Sequence, residues 1–356
     1  MIKTKGTSAR TTVRATAVAG AVLGLAAALV PGQGTAHAQT AQARRIVVDS
    51  RTDAPDATRS DGRCLSTRGG CTLRAAIMEA NAHPGSTVVL PAGRYDLAIP
   101  PLLGRAFTDY TLADTAHGNL KVFAPTTISG AGAGRTVIDG HGVDRVFTVM
   151  RPSTISDLTI TGGRSEPTAS LYNYYGGGAV LNSSDLTMER VHLTRNTGRI
   201  GGAVQNIPLS SFTLRDSLVD HNEAGEAGGI RFDSAGLIER STITGNRVVD
   251  PHDPTRPGEL AGYGGGIDVR GIRDVTLVDT KVTGNHADKG GGGINITLAY
   301  VPAPPVPVGP GSVRLKNSTV TGNTSLAGPD DCRAVLARFA DLGGNTVSDD
   351  GCGVSR

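Results

Sequence analysis

The sequence predicts an all-β chain wound as a parallel β-helix with three strands in each coil. The prediction rests on an eleven-residue pattern that recurs through the C-terminal half, on two apolar columns inside it, and on a Gly-Gly segment that precedes most repeats. The pattern is clearest at residues 313–323, VRLKNSTVTGN. Aligned on Asn317, its equivalents are Asp157, Arg190, Asp216, Arg240 and Asp279, spaced irregularly by 24 to 39 residues.

Two residues before each anchor runs an apolar column, Ile155, Met188, Leu214, Ile238, Leu277 and Leu315. Three residues after it runs another, Ile160, Leu193, Val219, Ile243, Val282 and Val320. Side chains on one face of a strand are an even number apart, so inward columns separated by five positions require a bend at the anchor. Most anchors are short polar residues that tolerate left-handed backbone; Arg190 and Arg240 fit that role less well. Six residues after the anchor stand Asn196, Asn222, Asn246, Asn285 and Asn323, with Gly163 in their place in the first repeat. Such a stack would share amide hydrogen bonds between coils about 4.8 Å apart.

The third strand follows Gly-Gly pairs that begin at Gly177, Gly201, Gly228, Gly265 and Gly292. Aligned on the pairs, Ala179, Ala203, Ile230, Ile267 and Ile294 point inward, as do Leu181, Phe232, Val269 and Ile296, with Gln205 the exception. One outward column then holds Val180, Val204, Arg231, Asp268 and Asn295, and the other Asn182, Asn206, Asp233, Arg270 and Thr297. Arg231, Asp233, Asp268 and Arg270 are its densest charge group, and neighbouring coils would set opposite charges side by side. An exposed ladder of that kind stabilises by at most about 1 kcal/mol per pair.

Over roughly residues 45–356 the chain resembles the right-handed parallel β-helix proteins of the pectate-lyase-like superfamily. Its alternating GG-Ala/Ile and Thr-x-Asn elements are also similar to the repeats of polymorphic outer-membrane adhesins. The resemblance is specific for fold and weak for activity.

Along the chain, residues 1–38 read as a secretory signal: Lys3, Lys5, Arg10 and Arg14 precede an apolar run, and Ala36-His37-Ala38 offers small residues for cleavage. The whole chain carries +3; removing these four basic residues from 35 leaves 31 against 32 acidic ones, a net of about −1. That balance excludes nucleic acid or an anionic membrane as the expected partner. The mature chain reads as one domain and a monomer, exported to the extracellular space with no membrane span. Four cysteines in an exported chain suggest two disulfides. A local pairing, Cys64 with Cys71 and Cys332 with Cys352, is preferred among the three formal connectivities.

Residues 39–85 form an N-terminal segment that ends in a helix. Within it, CTLRAAIMEAN at residues 71–81 resembles the CSLREA motif at the start of many secreted β-helix proteins, departing at Thr72 and Ala75. Leu73, Ala76, Ile77 and Ala80 share one helical face, suited to covering an otherwise open end of the solenoid. The β-helix itself is assigned to residues 86–356, with a first strand at 87–90. The glycine-rich stretch at 128–140 reads as a tight turn between strands, since no Lys-Ser/Thr or helix pattern follows it. The pairs Asp330-Asp331 and Asp349-Asp350 fall beside the terminal cysteines and suit an end cap.

Insertions at residues 164–175, 247–263 and 298–311 adjoin the Gly-Gly strands and carry Tyr172, Tyr174, Tyr175, Tyr263 and Tyr300. Amphipathic rings on loops over a rigid scaffold suit sugar stacking. One insertion contains Asp250-Pro251-His252-Asp253, similar to a string in β-helix alginate epimerases where the family places catalytic residues; the usual aromatic-glycine lead-in is replaced by Arg247-Val248-Val249. That likeness implies His252 and Tyr263 as proton-transfer groups, with Arg231 or Arg270 neutralising a carboxylate. Asp139-Gly140-His141-Gly142 is similar to the Gly-His-Gly of polygalacturonases, without the accompanying Asp motifs. The expected function is recognition of an extracellular polysaccharide, with modification open. Arg231, Asp268, Arg270 and His252 are the candidate catalytic groups, and Asn206, Asp233, Asn295, Tyr175 and Tyr263 the candidate contacts. A non-catalytic adhesive protein is the alternative, and a uronate lyase or epimerase the second. No cofactor is evident; calcium stays open although no acidic cluster has calcium-loop spacing.

Overall fold

A computed structural model describes residues 43–102, 115–165, 176–249, 261–271, 273–297 and 311–353. The chain divides into two units, Met1–Thr40 and Ala41–Arg356, and every described residue belongs to the second; the expected signal at 1–38 lies outside the described residues. Among the described residues no helix is long and apolar enough to cross a membrane.

The second unit is a parallel β-helix whose strands stack into sheets of ten, nine and eight strands. A fourth ladder of six short strands joins them over Thr197–Ile200, Glu223–Glu226, Arg247–Val248, His286–Ala287, Thr324–Ser325 and Gly328–Pro329. Among the described residues all strand pairings are parallel except the hairpin of the last two, and an isolated antiparallel bridge joins Asp56 to Ser66.

The bend at the anchor is a left-handed residue in each of the six repeats, with φ of 60° at Asp157, 51° at Arg190, 50° at Asp216, 46° at Arg240, 50° at Asp279 and 49° at Asn317. Side chains before and after it can then both face inward, and both apolar columns are fully buried. Pairing keeps the columns in register, with Met188 beside Leu214 and Leu193 beside Val219. The two arginine anchors have a local cause. Arg190 Nε and Nη2 donate to Asp157 at 2.7 and 2.9 Å, and Arg240 grips Asp216 with the same two distances, so each arginine ties its corner to the coil before it.

The asparagine column forms the expected ladder. Asn222 donates from its backbone N and its Nδ2 to Asn246 Oδ1 at 3.1 and 2.9 Å, and its Nδ2 also reaches the carbonyls of Leu193 and Asp220. Asn196, Asn246 and Asn285 repeat the arrangement. At one end the Gly163 amide donates to Asn196 Oδ1; at the other, Asp331 Oδ1 takes the place of an amide oxygen and accepts both donors of Asn323. Gly163 and Asp331 are therefore the termini of one hydrogen-bonded column, in which every buried amide is paired.

At the N-terminal end the helix Leu73–Ala82 has Thr72 as N-cap, its side chain accepting from the Ala75 amide. Leu73, Ala76, Ile77 and Ala80 join the solenoid core as their spacing predicts. The helix is also buried on its polar side: Arg74 is fully buried, donating to both oxygens of Asp53 and to the carbonyls of Thr115 and Gly118. The ten-strand sheet begins earlier than the boundary at residue 86, because Arg45–Val47 pairs in parallel with Ser86–Val89. The polypeptide thus lays down a strand, then its cap, then the remaining coils. Residues 130–135 do connect two strands, Thr126–Ser129 and Thr136–Asp139.

Both disulfides join neighbours in sequence, Cys64–Cys71 and Cys332–Cys352. Asp349 caps the terminal 3₁₀ turn Asp350–Cys352 by accepting from the Gly351 amide, and Asp331 also accepts from the Ser348 amide, which gives this acidic group the expected end-cap role.

Candidate functional site

The third strands form the eight-strand sheet: Leu120–Val122, Phe147–Val149, Val180–Asn182, Val204–Asn206, Ile230–Phe232, Ile267–Val269, Ile294–Thr297 and Cys332–Val335. Its register corrects the alignment on Gly-Gly pairs by one residue in two coils. Val180 pairs with Val204 and Val204 with Ile230, so both valines are core, not outward. Gln205 pairs with Arg231 and is outward, which removes the apparent exception. Asn206 pairs with Phe232, faces inward and is fully buried. Its Oδ1 accepts from Asn182 Nδ2 at 2.7 Å and its own Nδ2 donates to the Ala235 carbonyl. The expected outward Asn206 is thus a lining residue of the core.

The cause of the slip lies in the glycines. The stacked column is Gly178, Gly202, Gly228, Gly265 and Gly292, where an added Cβ would stand 2.2 to 2.4 Å from the carbonyl oxygen of the next coil. The residue before each is left-handed: Gly177, Gly201, Ala227, Gly264 and Gly291. In the earlier coils the visible pair is left-handed residue plus stacked glycine; in the later ones it is stacked glycine plus its successor. The two pairs look alike in sequence and are one residue out of phase.

With the register corrected, Arg231 lies beside Asp268, and Asp268 beside Asn295. Arg231 Nε donates to Asp233 at 2.7 Å, and its Nη1 lies 3.0 Å from Glu226 and 2.9 Å from Asp268. Arg270 Nη1 is 2.8 Å from Glu226, and its Nε 2.9 Å from Asp268. Asp268 Oδ1 accepts from Asn295 Nδ2 at 2.7 Å, and Asn295 Oδ1 from Arg333 Nη1 at 3.0 Å. The Arg333 guanidinium sits 4.3 Å over the Tyr263 ring. Gln205 Nε2 donates to Asp233 Oδ2 at 3.1 Å. The structure therefore brings together Arg231, Asp233, Asp268, Arg270, Asn295 and Tyr263 as expected, and adds Glu226, Gln205 and Arg333. Glu226 lies outside the Gly-Gly strand, in the six-strand ladder beside Ile200, so no third-strand alignment would find it. His252 and Tyr175, with Tyr172, Tyr174 and Tyr300, lie outside the described residues.

Burial is where the site departs from an exposed ladder. Although they sit on the outward columns, Asp268 and Asn295 are 0 % exposed, Arg231 7 % and Arg270 6 %. Three carboxylates and two guanidiniums make a lattice with one formal negative charge. Burial alone would push Arg231 down, but Asp233, Asp268 and Glu226 outweigh it and hold its pKa above the ordinary value. Arg270 is lowered, chiefly by burial, with Arg231 adding repulsion against the pull of Asp268 and Glu226. Among the described residues Arg231 touches Glu226, Asp233 and Asp268, and Arg270 touches Glu226 and Asp268. Both arginines are engaged by internal carboxylates, which suits them to hold the site's shape. Asp233 and the Arg333–Tyr263 pair are its less buried members.

Two other charged places are of a different kind. An open groove of about 720 Å³ runs along the corner between the ten- and nine-strand sheets, past Asp157, Arg190, His192, Asp216 and Arg240. Its ion pairs are exposed, so they contribute little to stability, and each Arg fork is closed on an Asp. On the outer face of the nine-strand sheet His141 Nε2 lies 2.9 Å from Asp96, and Arg94 bonds Asp96 and Asp139. The Gly-His-Gly segment thus sits on another sheet from the buried lattice.

No family model matches the chain. It is similar to mannuronan C5-epimerases AlgE2 and AlgE5 of Azotobacter vinelandii, each 27% identical over 256 residues that make up 64% of this chain and 24% of the relative. Mannuronan C5-epimerase AlgE4 of the same organism is 28% identical over 164 residues, 42% of this chain and 27% of the relative. The chain spans about a quarter of the length of these curated relatives. Among solved structures, pectate lyase Pel9A aligns over 88% of this chain and 80% of its own, at 15% identity and a TM-score of 0.37, too loose a superposition to carry residue roles across.

Proposed function

We propose that this chain is an extracellular polysaccharide-binding β-helix protein that holds an extended glycan along the outer face of the eight-strand sheet. The observation that carries the reading is the lattice of Arg231, Asp233, Asp268 and Arg270 on outward columns, joined by Glu226 from the six-strand ladder, with all but Asp233 buried. Burying four charges costs desolvation that well-packed apolar side chains would avoid, and buried groups with shifted ionisation cluster at functional sites. Arg231 and Arg270 act as positioning residues, while Asp233, Arg333 and Tyr263 present the polar and aromatic groups that meet sugar hydroxyls and ring faces. The named activity of the relatives supports a glycan as the ligand, and the two disulfides suit an oxidising compartment.

A second reading, C5-epimerisation of a uronate polymer, is favoured by those relatives and by the Asp250-Pro251-His252-Asp253 string. One group would take the C5 proton beside a neutralised carboxylate, and another would return a proton from the opposite face.

The test is incubation of the secreted chain with polymannuronate, pectate and a neutral glucan, with and without calcium, followed by affinity electrophoresis and proton NMR of uronate composition. Retention on at least one polymer is expected. Tyr263→Ala, which removes the ring beneath Arg333, is expected to weaken retention by about 1 kcal/mol, roughly fivefold. A changed uronate ratio would establish the second reading. Neither retention nor product on any polymer would overturn both and leave a purely structural or adhesive role.

A further inference from the structure

Away from the glycan face, at the N-terminal cap, three carboxylates converge. Asp56 and Asp61 come from the loop before the Cys64–Cys71 disulfide and Glu79 from the capping helix, and one oxygen from each lies within 4.8 Å of the others. Asp56 is 6 % exposed and Glu79 1 %. Their remaining oxygens are partly satisfied by amides: Asp56 Oδ1 accepts from Leu65 at 3.2 Å, Glu79 Oε2 from Gly62 at 3.1 Å, and Asp61 Oδ1 from Arg63 at 2.7 Å.

A separate observation points to a ligand. Asp56 Oδ2 and Glu79 Oε1 are buried side-chain atoms with no hydrogen-bond partner. A buried carboxylate oxygen without a donor is costly, and here two such oxygens belong to side chains aimed at the same point. Basic groups nearby do not resolve this. His83 Nδ1 lies 3.4 Å from Glu79 Oε2, the oxygen already served by Gly62, and Arg44 Nη1 donates to the Gly62 carbonyl at 2.6 Å.

We propose that Asp56, Asp61 and Glu79 bind one hard divalent cation of calcium size, which ties the disulfide loop to the capping helix. A proton shared between Asp56 and Glu79 would give both oxygens a partner but leave two of the three negative charges uncompensated, whereas a dication leaves one and takes an oxygen from each carboxylate. All three donors are carboxylate oxygens, the set preferred by calcium and magnesium over softer metals. Calcium accepts six to eight irregularly placed oxygens at about 2.3–2.6 Å, which suits a ligand set drawn from a loop and a helix. Asp61 is exposed, so water completes the shell on that side.

The test uses the mature chain stripped with chelator, titrated with calcium chloride by calorimetry and followed by thermal unfolding, with no glycan present. One site per chain is expected, with Tm rising by about 3–5 °C at saturating calcium. Asp61→Asn, an exposed change, is expected to weaken calcium binding at least about tenfold while the metal-free Tm stays within about 1 °C. Glu79→Gln is expected to abolish the response; should that variant not fold, Asp61→Asn decides alone. Absence of calcium heat and of a Tm shift in the wild type, or an Asp61→Asn variant that responds like the wild type, overturns the proposal. Because no polysaccharide enters the experiment, its failure is distinct from failure of the glycan reading.

Discussion

Replacing Asp268 by alanine is expected to destabilise the protein by about 3–5 kcal/mol, the range for removing one partner of a buried charge cluster. Asp268 is fully buried and touches Arg231, Arg270 and the Asn295 amide. Without it, two guanidiniums face each other across adjacent coils with Glu226 shared between them. The loss should appear in urea unfolding at neutral pH. Asp268→Asn, which keeps an acceptor for Asn295 and drops the charge, should lose clearly less. Equal small losses, under about 1 kcal/mol for both, would mean that solvent reaches the lattice and that it is an ordinary surface ladder.

The second large effect belongs to the asparagine column. Asn246→Ala removes the acceptor for both the backbone N and Nδ2 of Asn222, and the donor that reaches Asn285 Oδ1 and the carbonyls of Val219 and Thr244. Each buried polar group left unpaired costs about 1–3 kcal/mol, so a total of about 4 kcal/mol or more is expected. Asn196→Ala, at the end of the column where its Oδ1 serves Gly163, should cost less because fewer neighbours lie beyond it. Unfolding of the two variants side by side checks the order; a milder loss at Asn246 than at Asn196 would count against a cooperative column.

These expectations draw unequally on sequence and on structure. The corners and the ladder are legible in one sequence because they recur at fixed offsets from a local signal. An apolar residue two before and another three after the anchor cannot both face inward without a bend, and all six anchors are left-handed. Register across coils is less legible, since parallel pairing joins residues 22 to 43 apart and each insertion resets the count. Gly177-Gly178 and Gly228-Gly229 look equivalent, yet Gly178 and Gly228 share one stacked column, with Gly177 the left-handed residue before it and Gly229 the residue after it. That single-residue slip turned Asn206 from a core amide into an apparent surface contact.

The site was half legible for a related reason. Arg231, Asp268 and Arg270 stand out as charges on an otherwise apolar strand, and their adjacency follows from alternation. Their burial does not, because period-two reasoning separates inward from outward and cannot say whether an outward face is covered. Glu226 reaches the cluster from a ladder of two- to four-residue strands that carries no apolar periodicity. Arg74 and Glu79 on the capping helix show the same limit: the apolar face is evident from spacing, and the polar side is buried by tertiary contacts alone.

The central claim is that a glycan lies on the outer face of the eight-strand sheet. Hydrogen–deuterium exchange of residues 39–356 with and without an oligomannuronate tests it most directly. The expected result is added protection in Val204–Asn206, Ile230–Phe232, Ile267–Val269 and Ile294–Thr297 and around Tyr263, with the corner groove at Asp157, Arg190, Asp216 and Arg240 unchanged. Protection confined to that corner groove, or none at saturating oligosaccharide, would contradict the placement.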